Sequence, residues 1–250
     1  MPTLDVAFVL VALAAFLVGM SKGGVPSIGM LAVPLVSLVM SPLVAAVLLL
    51  PLYIVSDVVG VWLYRRQYSA PNLRILVPAG VCGVGVGWLT AAWLPEAALV
   101  LVVGLVGLWF CLLAWWPRRT PPLAAAPRLW RGWWWGGLAG LTSFVAHAGA
   151  PPFQMYLLPQ RLAKLTYAGT ATWFFAVINA VKLVPYQHLQ PYSSDLLWQV
   201  LAWVPFALLG TVVGAWLTRR LADVWFFRLV QLSLFAVSVK LVADALADLL

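Results

Sequence analysis

Residues 19–34 (GMSKGGVPSIGMLAVP) interrupt an apolar stretch where a membrane-spanning helix would have to run unbroken. This first break contains four glycines, two prolines and Lys22. In hydrocarbon, backbone groups freed by a break must find partners in protein or water. A lysine at mid-bilayer also costs at least about 2.5 kcal/mol. Breaks of this kind are typical of membrane segments that line a binding site or a pore.

The rest of the chain is apolar enough to be a membrane protein. It has 250 residues, of which 64% are hydrophobic and 9% charged, and its mean hydropathy is +0.99. A spanning helix needs about 20 apolar residues, so the length predicts an all-α polytopic membrane protein with about eight transmembrane helices. The net charge of +8 comes mainly from arginines and lysines in short loops, which is typical of topology determinants and argues against nucleic-acid binding.

A related second break occurs at residues 140–159 (GLTSFVAHAGAPPFQMYLLP). The Gly-x-Pro of residues 24–26 matches that of residues 149–151, and in both segments another proline follows eight residues later. We therefore predict two transmembrane repeats, residues 1–116 and 132–250, joined by a cytoplasmic linker at 117–131. Each repeat would open with a broken helical hairpin, and both belong to one integral membrane domain.

The arginine-rich loops predict the orientation. If the loops near residues 65–74, 117–131, 161–164 and 219–228 are all cytoplasmic, each repeat contains a hairpin and three spans. Three is an odd number, so the two repeats would have opposite topology. This is the inverted-repeat plan of many secondary transporters, in which the substrate binds near the midplane between the repeats.

The polar and helix-breaking residues of the two breaks are the candidate substrate-binding residues. One side of the site would comprise Ser21, Lys22, Gly23, Gly24, Pro26 and Ser27. The other would comprise Thr142, Ser143, His147, Gly149, Pro151, Pro152 and Gln154, with Asn179 and Lys182 nearby. Backbone N–H groups exposed at helix ends favour an anion, so we predict a small anionic substrate.

Several of these residues have a structural alternative. Lys22 could extend to a nearby surface, and His147 could be satisfied by a backbone carbonyl. Asp57 and His147 are candidates for proton coupling, whereas Asp57 and Lys182 could instead form buried ion pairs, with each other or with other residues. Lys240 and Asp244 have the spacing of a structural pair on one helix face.

No catalytic constellation is apparent. We find no zinc-ligand spacing, nucleophile elbow or pair of catalytic carboxylates, so we expect neither an enzyme nor a bound cofactor or metal. The string GVGVG at residues 83–87 lacks the preceding strand that a nucleotide-binding loop requires.

The sequence resembles the sulfite exporter TauE/SafE family of bacterial membrane permeases over nearly its whole length. The resemblance depends on GMSKGGVPSIGMLAVPL and on the run from AHAGAPPFQMYLLPQRL to YAGTATWFFAVINAVKLVPY. It implies a multi-pass transporter of the bacterial inner membrane, built from two similar halves. It also implies export or uptake of sulfite, an organosulfonate or a similar sulfur-containing anion, and we expect export.

The alternatives are a passive anion channel and an importer of the same anions. Membrane lipid and the anion are the expected partners, and proton coupling and a homo-oligomer remain open.

Overall fold

The computed structural model describes residues 6–40, 42–90, 96–115 and 124–249, and their regular structure is entirely helical. The helices are α1 (Val6–Lys22), α2 (Ala32–Val36), α3 (Pro42–Leu63), α4 (Ala70–Thr90), α5 (Glu96–Trp115), α6 (Leu129–Ala146), α7 (Ala150–Leu157), α8 (Lys164–Leu189), α9 (Ser194–Leu201), α10 (Val204–Arg220) and α11 (Asp223–Leu249). Short 3₁₀ helices, Pro26–Leu31 and Leu158–Gln160, lie before α2 and after α7.

Four of the described helices are long and apolar enough to span a membrane. They are Val44–Leu63, Ala70–Thr90, Lys164–Leu189 and Asp223–Ala247. Helices α9 and α10, bent by 49° at their junction, form a fifth candidate span if they are taken together. The all-helical, multi-pass class is therefore confirmed, while the count of eight spans and the inverted repeats stay predictions.

The chain forms two compact units, each of which uses residues from both sides of the central linker. Unit 1 contains Met1–Ser69 and Lys164–Ala222, and unit 2 contains Ala70–Ala163 and Asp223–Leu250. The predicted repeats, 1–116 and 132–250, are a division by sequence similarity, whereas the two units are a division by spatial contact. The repeats stay a prediction. The first part of the predicted linker, 117–123, which includes Arg118 and Arg119, lies outside the described residues.

Unit 1 is organised by the packing of α1 against α10. The order of the contacts, with Gly19 beside Ala207 and Gly23 beside Gly214, makes the two helices parallel. A Cβ atom at Gly19 would overlap the Ala207 carbonyl, and one at Gly210 would overlap the Phe16 carbonyl. Glycine is therefore required at both positions, because it lets the two backbones touch.

Unit 2 contains a helix pair of the same kind, α4 against α6. These helices are also parallel, with Gly80 beside Gly140 and Gly87 beside Phe144. A Cβ at Gly140 would overlap the Gly80 carbonyl, and one at Gly83 would overlap the Gly137 carbonyl. In each pair, the two overlaps named here involve residues that are three apart on both helices.

Filling this contact should destabilise the protein. In Gly140→Val the side chain meets the α4 backbone, which cannot retreat as a flexible side chain could. Overpacking of this kind costs about 1–3 kcal/mol or more, so we expect a clearly lower melting temperature in detergent. Gly85→Val is the matched control, because a Cβ at Gly85 has no neighbour within 4 Å. Equal melting of the two variants would contradict the close packing of α4 and α6.

Candidate functional site

The first break begins where α1 ends at Lys22 and the chain turns through Gly24, whose φ is +128°. An L side chain rarely adopts this conformation, so glycine is needed there. The Gly23 carbonyl, freed by the break, accepts hydrogen bonds from the Tyr64 hydroxyl at 2.5 Å and the Thr218 hydroxyl at 2.9 Å. Pro26 then opens the 3₁₀ helix. Two segments that are distant in sequence, α3 and α10, thus satisfy the exposed carbonyl.

One face of α3 contacts the break along its length. Tyr53, Ser56, Asp57, Gly60 and Tyr64 recur at helical spacing and therefore share this face. The Tyr53 hydroxyl donates to the Gly29 carbonyl at 2.7 Å. A Cβ at Gly60 would lie 3.0 Å from the Lys22 carbonyl, so α3 lies directly against the break. We call these five residues the polar stripe of α3.

Buried charged side chains meet beside this stripe. Lys22 Nζ lies 2.9 Å from Asp57 Oδ1, and both side chains are about 5% exposed. Asn179 of α8 donates through Nδ2 to Asp57 Oδ2 at 2.7 Å. Lys182, one turn further along α8, is fully buried and close enough for its charge to act on both Asp57 and Lys22. We call these four residues the charged cluster.

The charged cluster lies within apolar surroundings. Lys22 Nζ lies 4.9 Å from the centre of the Tyr53 ring and 5.5 Å from that of Phe175. The Thr172 hydroxyl donates to the Lys22 carbonyl at 3.0 Å, which fixes the end of α1 against α8. Asp57 precedes Tyr64 by seven residues, which corresponds to a separation of about 10 Å along the axis of α3 at 1.5 Å per residue. Because these charged groups are buried, electrostatic interactions between them are stronger than at the protein surface.

The other predicted residues of the first break have local roles. The Ser21 hydroxyl donates to the Val18 carbonyl of its own helix at 2.6 Å. Ser27 is fully buried in the 3₁₀ helix that follows Pro26. The Ser21 hydroxyl is therefore satisfied within α1, and the charged side chain of this segment that points toward α3 is Lys22.

The second break lies in unit 2. Helix α6 ends at Ala146, and His147 has a left-handed conformation with φ of 51°, which histidine adopts more readily than most non-glycine residues. The Ala148 N–H donates to the Thr142 carbonyl at 3.0 Å, and the Thr142 hydroxyl donates to the Leu138 carbonyl at 2.8 Å. His147 is 7% exposed, so this break is also buried.

Helix α7 follows immediately and all of its residues are buried. Gly149 precedes it, and Pro151 and Pro152 occupy its first turn, where a missing N–H does no harm. Gln154 is fully buried within it, as is Ser143 near the end of α6. Beyond α7, the Gln160 and Asn72 side chains exchange amide hydrogen bonds of 2.9 and 3.1 Å, which tie this hairpin to α4.

The structure thus brings together four of the predicted residues, Lys22, Asp57, Asn179 and Lys182. The sequence left open whether Asp57 pairs with Lys182 or with another residue. In the structure, Asp57 forms an ion pair with Lys22. The predicted residues of the second break lie in unit 2. That they form one site with the charged cluster stays a prediction. The described residues contain no group of three or more His, Cys, Asp or Glu side chains placed to hold a metal.

Sequence reasoning missed the hydroxyl residues around the first break. Tyr53, Tyr64, Thr172 and Thr218 donate to backbone carbonyls of the break, and Ser56 is buried next to Asp57 on α3. The available signal was the polar stripe of α3, because three hydroxyl side chains share one face with a buried aspartate. Thr172 and Thr218 carry no such signal, since their roles depend on which helices pack together.

Comparison with protein families agrees with these features. The family model described as "Sulfite exporter TauE/SafE" matches residues 11–241, a range that includes both breaks and the charged cluster. The chain belongs to this family. Neither the curated proteins nor the solved structures contain a match to it. Membership in the TauE/SafE family, together with the apolar helices, makes the chain a multi-pass membrane protein of a transporter family.

Breaking the buried ion pair should be costly. Lys22→Met leaves Asp57 as a buried carboxylate beside Asn179, and losing one partner of such a pair costs about 3–5 kcal/mol. Lys22→Met with Asp57→Asn removes both charges, so we expect it to recover much of that stability. Thermal unfolding of the purified variants in detergent measures both effects.

The control is the exposed pair of α11. Lys240 lies 2.8 Å from Asp244, and their side chains are 40% and 43% exposed. Since exposed pairs contribute about 0.2–1 kcal/mol, Lys240→Met should barely change the melting temperature. A loss in Lys22→Met no larger than in Lys240→Met would show that the buried pair has no special role.

Proposed function

We propose that this TauE/SafE protein is a secondary transporter that moves a small sulfur-containing oxyanion, such as sulfite or an organosulfonate, out of the bacterial cell. The observation that carries the proposal is the charged cluster beside the first break. It combines buried cations, an amide donor and a broken helix, which are the elements of an anion site in a membrane.

The charge balance of the cluster favours an anion. The buried charged side chains described in unit 1 are Lys22, Asp57 and Lys182. When all three are ionised, two ammonium groups and one carboxylate leave one net positive charge. Such a charge is unfavourable in a low-dielectric interior, and a bound monovalent anion would neutralise it. The cluster therefore favours an anionic solute over a neutral or cationic one.

The contacts of Asp57 indicate what kind of anion the surroundings accept. Its two carboxylate oxygens face an ammonium group at 2.9 Å and an amide N–H at 2.7 Å. Sulfite and sulfonate groups likewise present several negatively charged oxygens within a small volume, and such oxygens make strong, charge-assisted hydrogen bonds. The Asp57 carboxylate is thus an internal analogue of the proposed substrate, and it competes with that substrate for Lys22.

Ser56 offers a further donor. Its side chain is fully buried, and its hydroxyl makes no hydrogen bond to any of the described residues. A buried polar group without a partner is uncommon in a protein interior. Ser56 precedes Asp57 and belongs to the polar stripe of α3 that faces the break, so an anion held by the cluster would be within its neighbourhood.

The membrane potential provides a driving force for export. With the inside negative, about 2.3 kcal/mol per charge per 100 mV favours the exit of an anion. Export therefore needs no second ion. Proton coupling through Asp57 or His147 is the alternative mechanism, and it predicts a proton flux that accompanies the anion.

Reconstituted protein tests the proposal directly. Proteoliposomes loaded with sulfite, sulfoacetate or thiosulfate should release the anion under an imposed potential, whereas taurine, which has no net charge, should be released far more slowly. Release that saturates with concentration is expected of a transporter, and a linear dependence would favour the passive channel. The absence of any anion release from correctly folded protein would refute the proposed function.

Lys182→Gln should lower the transport rate about tenfold or more, since a hydrogen bond to a charged group contributes about 1.5–3 kcal/mol. Lys240→Gln removes a lysine of the same charge from a half-exposed pair far along the sequence, so it should transport like the wild type. Equal rates in the two variants would remove Lys182 from the proposed site.

Ser56→Ala should weaken anion binding about two- to tenfold, because one neutral hydrogen bond contributes about 0.5–1.5 kcal/mol. The same variant should unfold at the wild-type temperature or slightly above it, since the hydroxyl has no partner to lose among the described residues. Anion-dependent thermal shifts measure both quantities. Unchanged binding in this variant would show that Ser56 does not face the anion.

A further inference from the structure

An open apolar groove lies between α4 and α6 in unit 2, and the anion site does not use it. Its volume is about 330 Å³, and its lining is almost wholly apolar. The walls include Cys82 and Val86 from α4 and Trp133, Trp134 and Leu141 from α6. The stretch from Trp133 to Leu141 is eight residues, or about 12 Å along the helix.

The groove exists because two glycines lie along it. At Gly83 the α4 backbone touches the Gly137 carbonyl, which brings the two helices together. At Gly137 itself, a Cβ would have one neighbour within 4 Å, the Ala79 carbonyl at 3.7 Å. The missing side chain therefore leaves a recess, and Trp133 and Trp134, 45% and 66% exposed, form its outer wall.

One end of the groove is positively charged. Ile75 packs over Gly132, so the residues that precede them, Arg74 on α4 and Arg131 on α6, lie at the same end of the parallel pair. Both arginines are exposed, as is Arg128 at the start of α6. By the positive-inside rule this end faces the cytoplasm, where the membrane surface carries anionic lipid.

We propose that this groove is a binding site for an anionic phospholipid. One acyl chain lies in the groove along Trp133, Leu138 and Leu141, and the phosphate lies among Arg74, Arg128 and Arg131. The arrangement matches the two parts of such a lipid, since the apolar groove lies along a helix pair whose one end carries three exposed arginines, which suit a phosphate. Tryptophans at the same end are typical of the membrane interface.

The charge also argues against a second copy of the chain in the groove. A two-fold symmetric dimer would place the same surface of both subunits in contact, which would bring the arginine clusters of the two copies toward each other. An anionic lipid neutralises these arginines instead. A zwitterionic lipid could fill the apolar part, but it would gain less from the cationic end.

Native mass spectrometry of the detergent-purified protein tests the site. We expect phosphatidylglycerol to bind at a lipid concentration at least tenfold lower than the concentration that phosphatidylcholine with the same acyl chains requires. The triple variant Arg74→Gln, Arg128→Gln, Arg131→Gln should remove this difference. Equal retention of the two lipids by the wild type would overturn the proposal, as would a dimer that forms in place of lipid binding.

A matched pair of variants tests the acyl-chain part. Gly137→Leu places a side chain in the recess and should reduce retention of phosphatidylglycerol at least fivefold. Gly85→Leu adds the same side chain to α4 where no atom lies within 4 Å, and it should retain the lipid like the wild type. Equal retention by the two variants would place the lipid elsewhere.

Cysteine labelling of the otherwise unaltered groove provides a measurement that does not depend on these variants. Cys82 lines the groove and is exposed, whereas Cys111 is buried, so Cys111→Ser leaves one reactive thiol. Phosphatidylglycerol added to detergent micelles should slow maleimide modification of Cys82 several-fold more than phosphatidylcholine does. Equal modification rates with the two lipids would contradict an anionic lipid in the groove.

Discussion

The structure depends on one constraint, which is that a backbone interrupted inside an apolar region must have its polar groups satisfied by the protein. The Gly23 carbonyl shows how this is done, because hydroxyls from α3 and α10 both donate to it. The Lys22 carbonyl is satisfied by Thr172 of α8 in the same way. The break is therefore held by three helices, and each of them must be in place before the end of α1 has a stable position.

The charged cluster follows from this arrangement. Once Gly23 and the Lys22 carbonyl are fixed, the Lys22 side chain lies against α3, where it pairs with Asp57, whose other carboxylate oxygen accepts a hydrogen bond from Asn179 of α8. In the structure, Lys22 Nζ lies 2.9 Å from Asp57. If Lys22 extended to the surface instead, the buried Asp57 would lose this cation. The ion pair and the broken helix thus depend on each other, since the break directs the lysine inward and the pair offsets part of the cost of burying it.

The sequence predicted the features that depend on local composition. The helical class, the two breaks and the presence of Lys22, Asp57 and Asn179 within apolar segments follow from apolar runs, glycines, prolines and polar residues at unexpected positions. It could not predict that Lys22 would pair with Asp57, since that contact depends on how α1 lies against α3. Nor could it predict that each compact unit takes helices from both halves of the chain, because partner choice is decided by long-range packing.

The glycines are instructive in this respect. Gly19 and Gly140 are the first residues of the two breaks in the sequence, and in the structure both are contact points between parallel helices. Spacing of small residues indicates that a helix packs closely, but it does not name the partner helix. The partners, α10 and α4, became evident only from the three-dimensional structure.

The pairing of α1 with α10 has a consequence for synthesis. Helix α1 packs against α10, which ends at Arg220, so all the residues between the two helices must be translated before α1 meets its neighbour. Helices α4 and α6 are separated by far fewer residues and can associate much earlier. Nascent chains that end before residue 204 would therefore hold α1, with Lys22 at its end, in the bilayer without its main helical contact, and they are the natural substrates for membrane chaperones and quality-control proteases.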